Sequence, residues 1–381
     1  MKSVMLICSS QVSVPPKKGG AIEEIVFEIA KHTRRKMKPI VVTRTRFNYN
    51  GVKCVKINSK IRKNKAAAIL EDILYGFKCL EQINKEKPGI VHLNTTFTSF
   101  PITAFLKGDS KPKIVYTSHS PSWTVPDKEI GKINKFFNRI EAFSMKRADV
   151  VTAVSDSMRK GIIKKAGIDK RKIITIQNFS RPDEFSPKYG KKWQRSKKIT
   201  GNIILFVGKL TYTKGIDYLI QSIPSVLEKY SDTTFVFVGS SEHEQKLDNN
   251  PWYGMAKKLG VEKNTLFLGT VSREELPNIY ASADIFVLPT LREGMPMVIL
   301  EAMASGLPIV TTKVSGIPEI VNEKCSIYVK RKDSKTLASS IIKILSDPKK
   351  MRRMSKEARR ASIRLRKEVV LEKYKNLYKK L

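Results

Sequence analysis

Two successive alternations of short apolar runs with helix-period segments govern what this 381-residue chain can fold into. In the first, Val4–Cys8, Ile40–Thr43, Ile90–Asn94, Ile114–Ser118, Val150–Val154 and Ile173–Ile176 are continuous apolar runs of strand length. Between them lie helical stretches. In Ala21–His32, residues Ile22, Ile25, Val26, Ile29 and Ala30 fall on one face, and Ala66–Asn84 and Ile130–Lys146 are also helix-like. Strands without polar alternation, separated by amphipathic helices, imply a parallel sheet covered on both faces. The alternation pauses at Ser180–Gly201, which has two prolines, two glycines, seven basic residues and no sustained period. It resumes with Ile203–Val207, Ile216–Tyr230, Phe235–Val238, Thr265–Leu268, Leu276–Ala281, Ile285–Leu288, Met297–Ala304 and Ile309–Thr311. The expectation is an α/β chain with two Rossmann-like, doubly wound domains at 1–185 and 202–347. A linker at 186–201 joins them, and a basic helical tail at 348–381 follows.

Composition narrows the function classes. Apolar residues make up 41% and charged residues 28%, a globular profile. Net charge is +37 and unevenly spread: +26 over residues 1–200, −3 over 201–329 and +14 over 330–381. A neutral middle block between two basic ones points to an anionic partner for the first half and the tail. No run reaches the ~18 apolar residues of a membrane span, and Met1–Cys8 is too short for a signal-peptide core. Four cysteines at 8, 54, 79 and 325 match no zinc-ligand spacing, so reduced thiols in the cytoplasm are expected.

The segment richest in chemistry is Asp284–Val310. A strand ends near Pro289, a loop carries Glu293 and Gly294, and Pro296 suits the first turn of a helix, where a missing N–H costs nothing. Gly306 suits the position past the helix end, and Pro308 stops continuation. The loop therefore lies at the carboxyl end of a parallel strand, where open α/β sheets bind ligands. Amide groups around Met295, Pro296, Met297 and Val298 would form an anion site fit for a diphosphate. Carboxylates beside such a site, Glu293 and Glu301, suit sugar hydroxyls instead, so the ligand would be a sugar nucleotide. On spacing alone, a capping Glu and a solvated helix Glu explain the pair equally well.

Glu293 and Glu301, with seven residues between them in EGMPMVILEAMASGLPIV, resemble the E-x7-E signature of GT4-type retaining glycosyltransferases of the GT-B fold (glycosyl transferase group 1). Ser315–Val321 (SGIPEIV) fits as well, and FVGKLTYTK at Phe206–Lys214 with Gly215 resembles the family's strand, basic residue and Lys-Gly element. The resemblance implies two Rossmann-like domains facing a central cleft, with the tail packing back on the N-terminal domain. It implies catalytic roles for His119, Glu293, Lys209 and Lys214. It also implies donor binding by Gly19, Gly20, Gly208, Val271, Gly294, Met295, Pro296, Met297, Val298 and Glu301. Three positions depart from the family pattern: Lys209 stands where Arg is usual, Ser120 follows His119, and Phe179 follows Asn178 in place of Gly. Lysine offers a point charge rather than a bidentate fork.

No Asp-x-Asp occurs in the sequence. Lysines and helix amides would then neutralise the leaving diphosphate, so neither a metal nor another cofactor is expected. The expected reaction is retaining transfer of a hexosyl group from a UDP-sugar or GDP-mannose to a lipid-linked or glycan acceptor. The two basic blocks suggest peripheral docking on the anionic inner face of the plasma membrane, with Phe136, Phe137, Ile140 and Phe143 of Ile130–Lys146 partly in the interface. A core-packing helix with a solvated basic face explains that segment too. Nucleic-acid binding is an alternative raised by the charge, though no nucleic-acid motif is present. A nucleotide-sugar phosphorylase or hydrolase on the same fold is another.

Overall fold

The computed structural model describes residues 1–16, 19–62, 64–106, 111–240 and 250–381. It comprises two compact units: Met1–Asn178 with Glu368–Leu381, and Phe179–Lys367.

In the first unit, strands β1 (Ser3–Ile7), β2 (Lys38–Thr43), β3 (Lys53–Lys56), β4 (Ile90–Leu93), β5 (Lys113–Ser118), β6 (Val150–Ala153) and β7 (Ile173–Thr175) form one parallel sheet. Their order is β3-β2-β1-β4-β5-β6-β7. The connecting helices are α1 (Ala21–Thr33), α2 (Lys65–Glu86), α3 (Thr96–Phe105), α4 (Lys132–Arg147) and α5 (Asp156–Ala166). The path from β1 to β2 and the path from β3 to β4 run across the sheet in opposite directions. Right-handed crossovers therefore put α1 on one face and the later helices on the other. On that second face α2, α3 and α4 pack side by side.

The second unit repeats the plan. Strands β8 (Ile203–Val207), β9 (Thr234–Val238), β10 (Thr265–Gly269), β11 (Ile285–Leu288), β12 (Ile309–Thr312) and β13 (Ser326–Val329) form a parallel sheet ordered β10-β9-β8-β11-β12-β13. Its helices are α6 (Lys192–Ser196), α7 (Ile216–Leu227), α8 (Pro251–Lys258), α9 (Leu276–Ser282), α10 (Met297–Ala304), α11 (Ser334–Leu345) and α12 (Pro348–Arg364). The central strands β8 and β11 are buried at every residue, as their unbroken apolar sequence requires.

Two expectations need correction. The stretch 186–201 is not a free connector: it folds onto the second unit, and the chain passes between units at Asn178–Phe179 and Lys367–Glu368. Trp193 of α6 is buried and donates its indole N–H to Glu275 at 3.2 Å. Isolated aromatic anchors such as Phe185 and Trp193 leave no period to read. The basic tail also divides. Helix α12 stays with the second unit, whereas the last helix, α13 (Lys367–Lys380), belongs from Glu368 onward to the first. Tyr374 and Tyr378 of α13 are buried there. The Tyr378 hydroxyl lies 2.5 Å from His92 Nδ1, and His92 Nε2 lies 2.6 Å from Thr117 Oγ1.

Candidate active site

In the second sheet the chain leaves β8 toward β9 on one side, while β11 occupies the other. Crossovers diverging in this way open a crevice at the carboxyl ends of β8 and β11. The two loops singled out in the sequence both start there: Gly208 to Gly215 after β8, and Pro289 to Pro296 after β11. Backbone contacts stitch them together. Leu291 N–H donates to the Thr213 carbonyl at 2.8 Å, and Thr290 Oγ1 donates to the same oxygen at 3.0 Å. Gly215 makes the approach possible, because its φ is +71° and a Cβ there would sit 2.1 Å from the Pro289 carbonyl oxygen. This brings the Lys214 ammonium onto Oε1 of Glu293, which is buried. Lys209 and Gly208 stand at the start of the first loop, and the Lys209 side chain is exposed.

Helix α10 begins at the far side of this loop. Pro296 is its N-cap rather than its first helical residue (φ −74°, ψ 122°). The ring still sacrifices no donor, while the Pro296 carbonyl accepts from Ile299 N–H at 3.3 Å. The amides of Met297 and Val298 fall in the first turn, where no preceding helical carbonyl exists to receive them. Met295 and Met297 are buried, so their side chains pack and only their backbone could serve a ligand. Gly316 N–H donates to the Gly294 carbonyl at 3.1 Å, which explains why the SGIPEIV segment accompanies the loop. At the other end Gly306 (φ +72°) terminates the helix and Arg359 of α12 donates to the Ala304 carbonyl. A cation at that end favours the helix dipole that presents its positive pole to the crevice.

Glu301 lies within α10 and is buried. Oε1 accepts from Arg181 Nη2 at 2.9 Å, and Oε2 accepts from the Tyr280 hydroxyl at 3.1 Å. Burial raises its pKa, while the Arg181 charge and both hydrogen bonds pull the other way. A carboxylate offers about four acceptor sites, so each oxygen retains one for a ligand hydroxyl. Arg181 is buried too. It pairs with Glu184 at 3.2 Å and places its guanidinium 5.1 Å from the Phe185 ring centroid. Tyr280 is held edge-on by Phe185 at 5.4 Å and stacked on Phe286 at 5.8 Å. Sequence reasoning missed both partners. Arg181 sits in the aperiodic stretch Ser180–Gly201, and Tyr280 in Leu276–Ala281, a segment given no functional role.

The first unit has its own switch point, between β1 and β4. Gly19 (φ +62°) and Gly20 (φ +90°) follow β1, and Gly20 is the N-cap of α1. A Cβ on Gly20 would come within 2.9 Å of Pro16 Cβ and Val12 Cγ1, so only glycine closes this turn unstrained. His119 follows β5 directly, with Nε2 3.5 Å from Oδ1 of Asn94, the residue after β4. Part of its surface reaches solvent, yet desolvation lowers its pKa to about 4, leaving it neutral at pH 7. Asn94 is the functional candidate the sequence reading missed, and its place immediately after a switch-point strand was the available signal. Val271 lies past the end of β10, an edge strand two places from β8.

The described residues thus bring Lys214 to Glu293 and tie Glu301 to Arg181 and Tyr280. His119, Gly19 and Gly20 belong to the first unit. Among the described residues no three His, Cys, Asp or Glu side chains are grouped as a metal site would require.

Comparison with known proteins gives the family. Residues 190–361 match the family model of glycosyl transferases group 1, and residues 19–184 match that of Glycosyltransferase Family 4. The chain is 30% identical to an uncharacterized glycosyltransferase of Methanocaldococcus jannaschii, over 71% of this chain and 69% of that protein. It is 28% identical to the UDP-Gal:alpha-D-GlcNAc-diphosphoundecaprenol alpha-1,3-galactosyltransferase of Escherichia coli, over 77% of this chain and 75% of that one. Among solved structures, sucrose-phosphate synthase of Thermosynechococcus elongatus superposes with a TM-score of 0.85 at 18% identity, covering 100% of this chain and 99% of that one.

Proposed function

The chain belongs to the group 1 and family 4 glycosyltransferases, with two Rossmann-like units of the GT-B fold, and on that premise we propose that it is a retaining, metal-independent hexosyltransferase. Its donor is a nucleoside-diphosphate sugar, a UDP-sugar or GDP-mannose. Its acceptor is lipid-linked or glycan, met at the cytoplasmic face of the membrane. The Escherichia coli relative, by its name, uses UDP-Gal and a diphosphoundecaprenol acceptor, which supports both halves of this reading.

The observation that carries it is the Lys214–Glu293 pair at the head of α10. A lone basic pocket would hold any phosphate. A cation and a carboxylate side by side suit a ligand that is anionic at one end and rich in hydroxyls at the other. In this reading Lys209, Lys214 and the amides of Met297 and Val298 receive the diphosphate. Glu293 accepts from hydroxyls of the transferred sugar, and Glu301 accepts from the ribose. The bond from the anomeric carbon to the phosphate oxygen breaks, and a bond from that carbon to the acceptor oxygen forms on the same face. The acceptor proton passes to the departing phosphate. Charge grows on that oxygen as the bond breaks, so donors already placed around it lower the barrier most. Positive charge from lysines and a helix terminus is the reason for proposing metal independence. His119, neutral at pH 7, can offer one ring N–H to a sugar hydroxyl.

A thermal-shift series with UDP-, GDP- and ADP-sugars tests the donor assignment. Selective stabilisation by one nucleotide is expected, amounting to about 2.7 kcal/mol at a hundredfold excess over Kd. No shift with any of them would contradict it. Product analysis with and without acceptor then distinguishes transfer from hydrolysis or phosphorolysis.

A further inference from the structure

The outer side of the α2–α3–α4 layer carries large apolar side chains that the fold leaves in water. On α2, Leu70 (58% exposed), Leu74 (49%) and Phe77 (41%) are spaced four and three residues apart, hence on one helix face. Phe105, at the end of α3, is 55% exposed and lies 5.5 Å from the Phe77 ring. On α4, Ile133 (64%) and Phe136 (57%) form a second exposed pair. Single exposed apolar residues are ordinary, but six on three helices packed side by side are not.

The charge around Ile133 and Phe136 has one sign, whereas α2 sets Lys65, Lys78 and Lys85 beside Glu71, Asp72, Glu81 and Glu86. Helix α4 carries Lys132, Lys135, Arg139, Lys146 and Arg147 against a single acidic residue, Glu141. Glu141 is buried, accepting from Ser118 Oγ at 2.7 Å and Trp123 Nε1 at 2.9 Å, so it faces inward. The exposed face of α4 is therefore uniformly cationic and interleaved with apolar groups. Lys65, at the start of α2, extends the basic rim to the neighbouring helix, its ammonium 5.8 Å from the Phe137 ring centroid.

We infer that this face docks the first unit on an anionic lipid bilayer, with Ile133 and Phe136 entering the headgroup–acyl boundary and Lys132, Lys135 and Arg139 meeting lipid phosphates. A second copy seated α4 against α4 would bring like charges together, which argues against self-association there. A nucleic acid would satisfy the cations and leave the aromatic and aliphatic groups without an apolar partner. Only a lipid surface uses both features. The inference rests on the proposed membrane-held acceptor for its purpose, but the binding it describes needs neither donor nor acceptor.

The test is sedimentation of the full chain with vesicles of phosphatidylcholine alone and of phosphatidylcholine with one-third phosphatidylglycerol, at physiological salt. Binding is expected to the anionic vesicles and to be at least tenfold weaker on the neutral ones. Ile133→Ser with Phe136→Ser should weaken it a further tenfold or more with circular dichroism unchanged, since both side chains are already in water. Lys135→Gln with Arg139→Gln should weaken it and flatten its salt dependence. Indifference to anionic vesicles, an unaltered Ile133→Ser/Phe136→Ser variant, or equal retention on duplex DNA would each overturn the inference. A protein that transfers sugar in detergent yet ignores vesicles would sink this inference and leave the proposed activity standing.

Discussion

Lys214 and Glu293 form an ion pair although they are 79 residues apart and leave different strands of the sheet. The contact exists because Gly215 lets one loop press against the backbone of the other. A free lysine would bind phosphate with little selectivity; one already holding a carboxylate has its position fixed before the ligand arrives. Replacing Glu293 by Gln removes a negative charge from the diphosphate's neighbourhood and frees the ammonium. Nucleoside diphosphate alone should then bind several-fold more tightly, while sugar transfer falls by about a hundredfold or more, the scale expected for losing a transition-state contact. Calorimetry and steady-state kinetics on the one variant check both signs.

Gly215→Ala should be among the most damaging single-methyl changes in the second unit. The added Cβ would meet the Pro289 carbonyl at 2.1 Å, and the residue would hold φ +71°. A loss of at least ~1 kcal/mol of stability is expected, together with a drop in activity larger than the stability loss explains. Urea denaturation and kinetics on the same preparation provide the comparison.

The buried Glu301 depends on Arg181. Arg181→Met leaves that carboxylate, among the described residues, with the Tyr280 hydroxyl alone, a change worth about 3–5 kcal/mol in comparable buried pairs. The double change Arg181→Met with Glu301→Met should recover much of the loss, because no charge then remains buried. Tyr280→Phe removes one hydrogen bond and should cost about 1 kcal/mol. Chemical denaturation of the four proteins tests the ordering.

The same network shows where sequence reading stops. The repeated strand–helix rhythm, the helix at Met297–Ala304 and the loop glycines were legible because each follows from a period or a local backbone demand. The edge strand β3 was not, because KCVK sets two lysines around two apolar residues, and β13 was passed over although three residues of SIYV are apolar. Helix α3 was hidden because it carries Pro101 and no charged face. Arg181 and Tyr280 were invisible for a different reason. Their roles come from meeting Glu301 across 120 and 21 residues of chain, and nothing local marks such a meeting. The motif located the carboxylate, and packing supplied its partners.

Acid sensitivity provides a fourth prediction. Burial lowers His92 to about 3 and His119 to about 4, from a usual 6.5. Below pH 6.5 the unfolded chain binds protons that the folded chain refuses, so these groups lower stability as pH falls from 6.5 toward 3. Burial raises Glu141, Glu301 and Asp72, and their contribution runs the other way, favouring the folded state as pH falls through their raised values. A difference measurement isolates the histidine. The stability advantage of wild type over His92→Gln should shrink by up to about 1.4 kcal/mol per pH unit between pH 6 and 4. Equilibrium denaturation at half-unit pH steps reads it directly.

Titration calorimetry of the preferred nucleoside diphosphate, on wild type and on the Lys209→Ala/Lys214→Ala variant, bears on the core assignment most directly. Each lost charge-assisted contact is worth roughly 1.5–3 kcal/mol, so Kd should rise at least about tenfold per lysine, with circular dichroism at the assay temperature confirming the fold because Lys214→Ala also leaves the buried Glu293 without its ammonium. Equal affinity in the two proteins would place the diphosphate somewhere other than the crevice at β8 and β11.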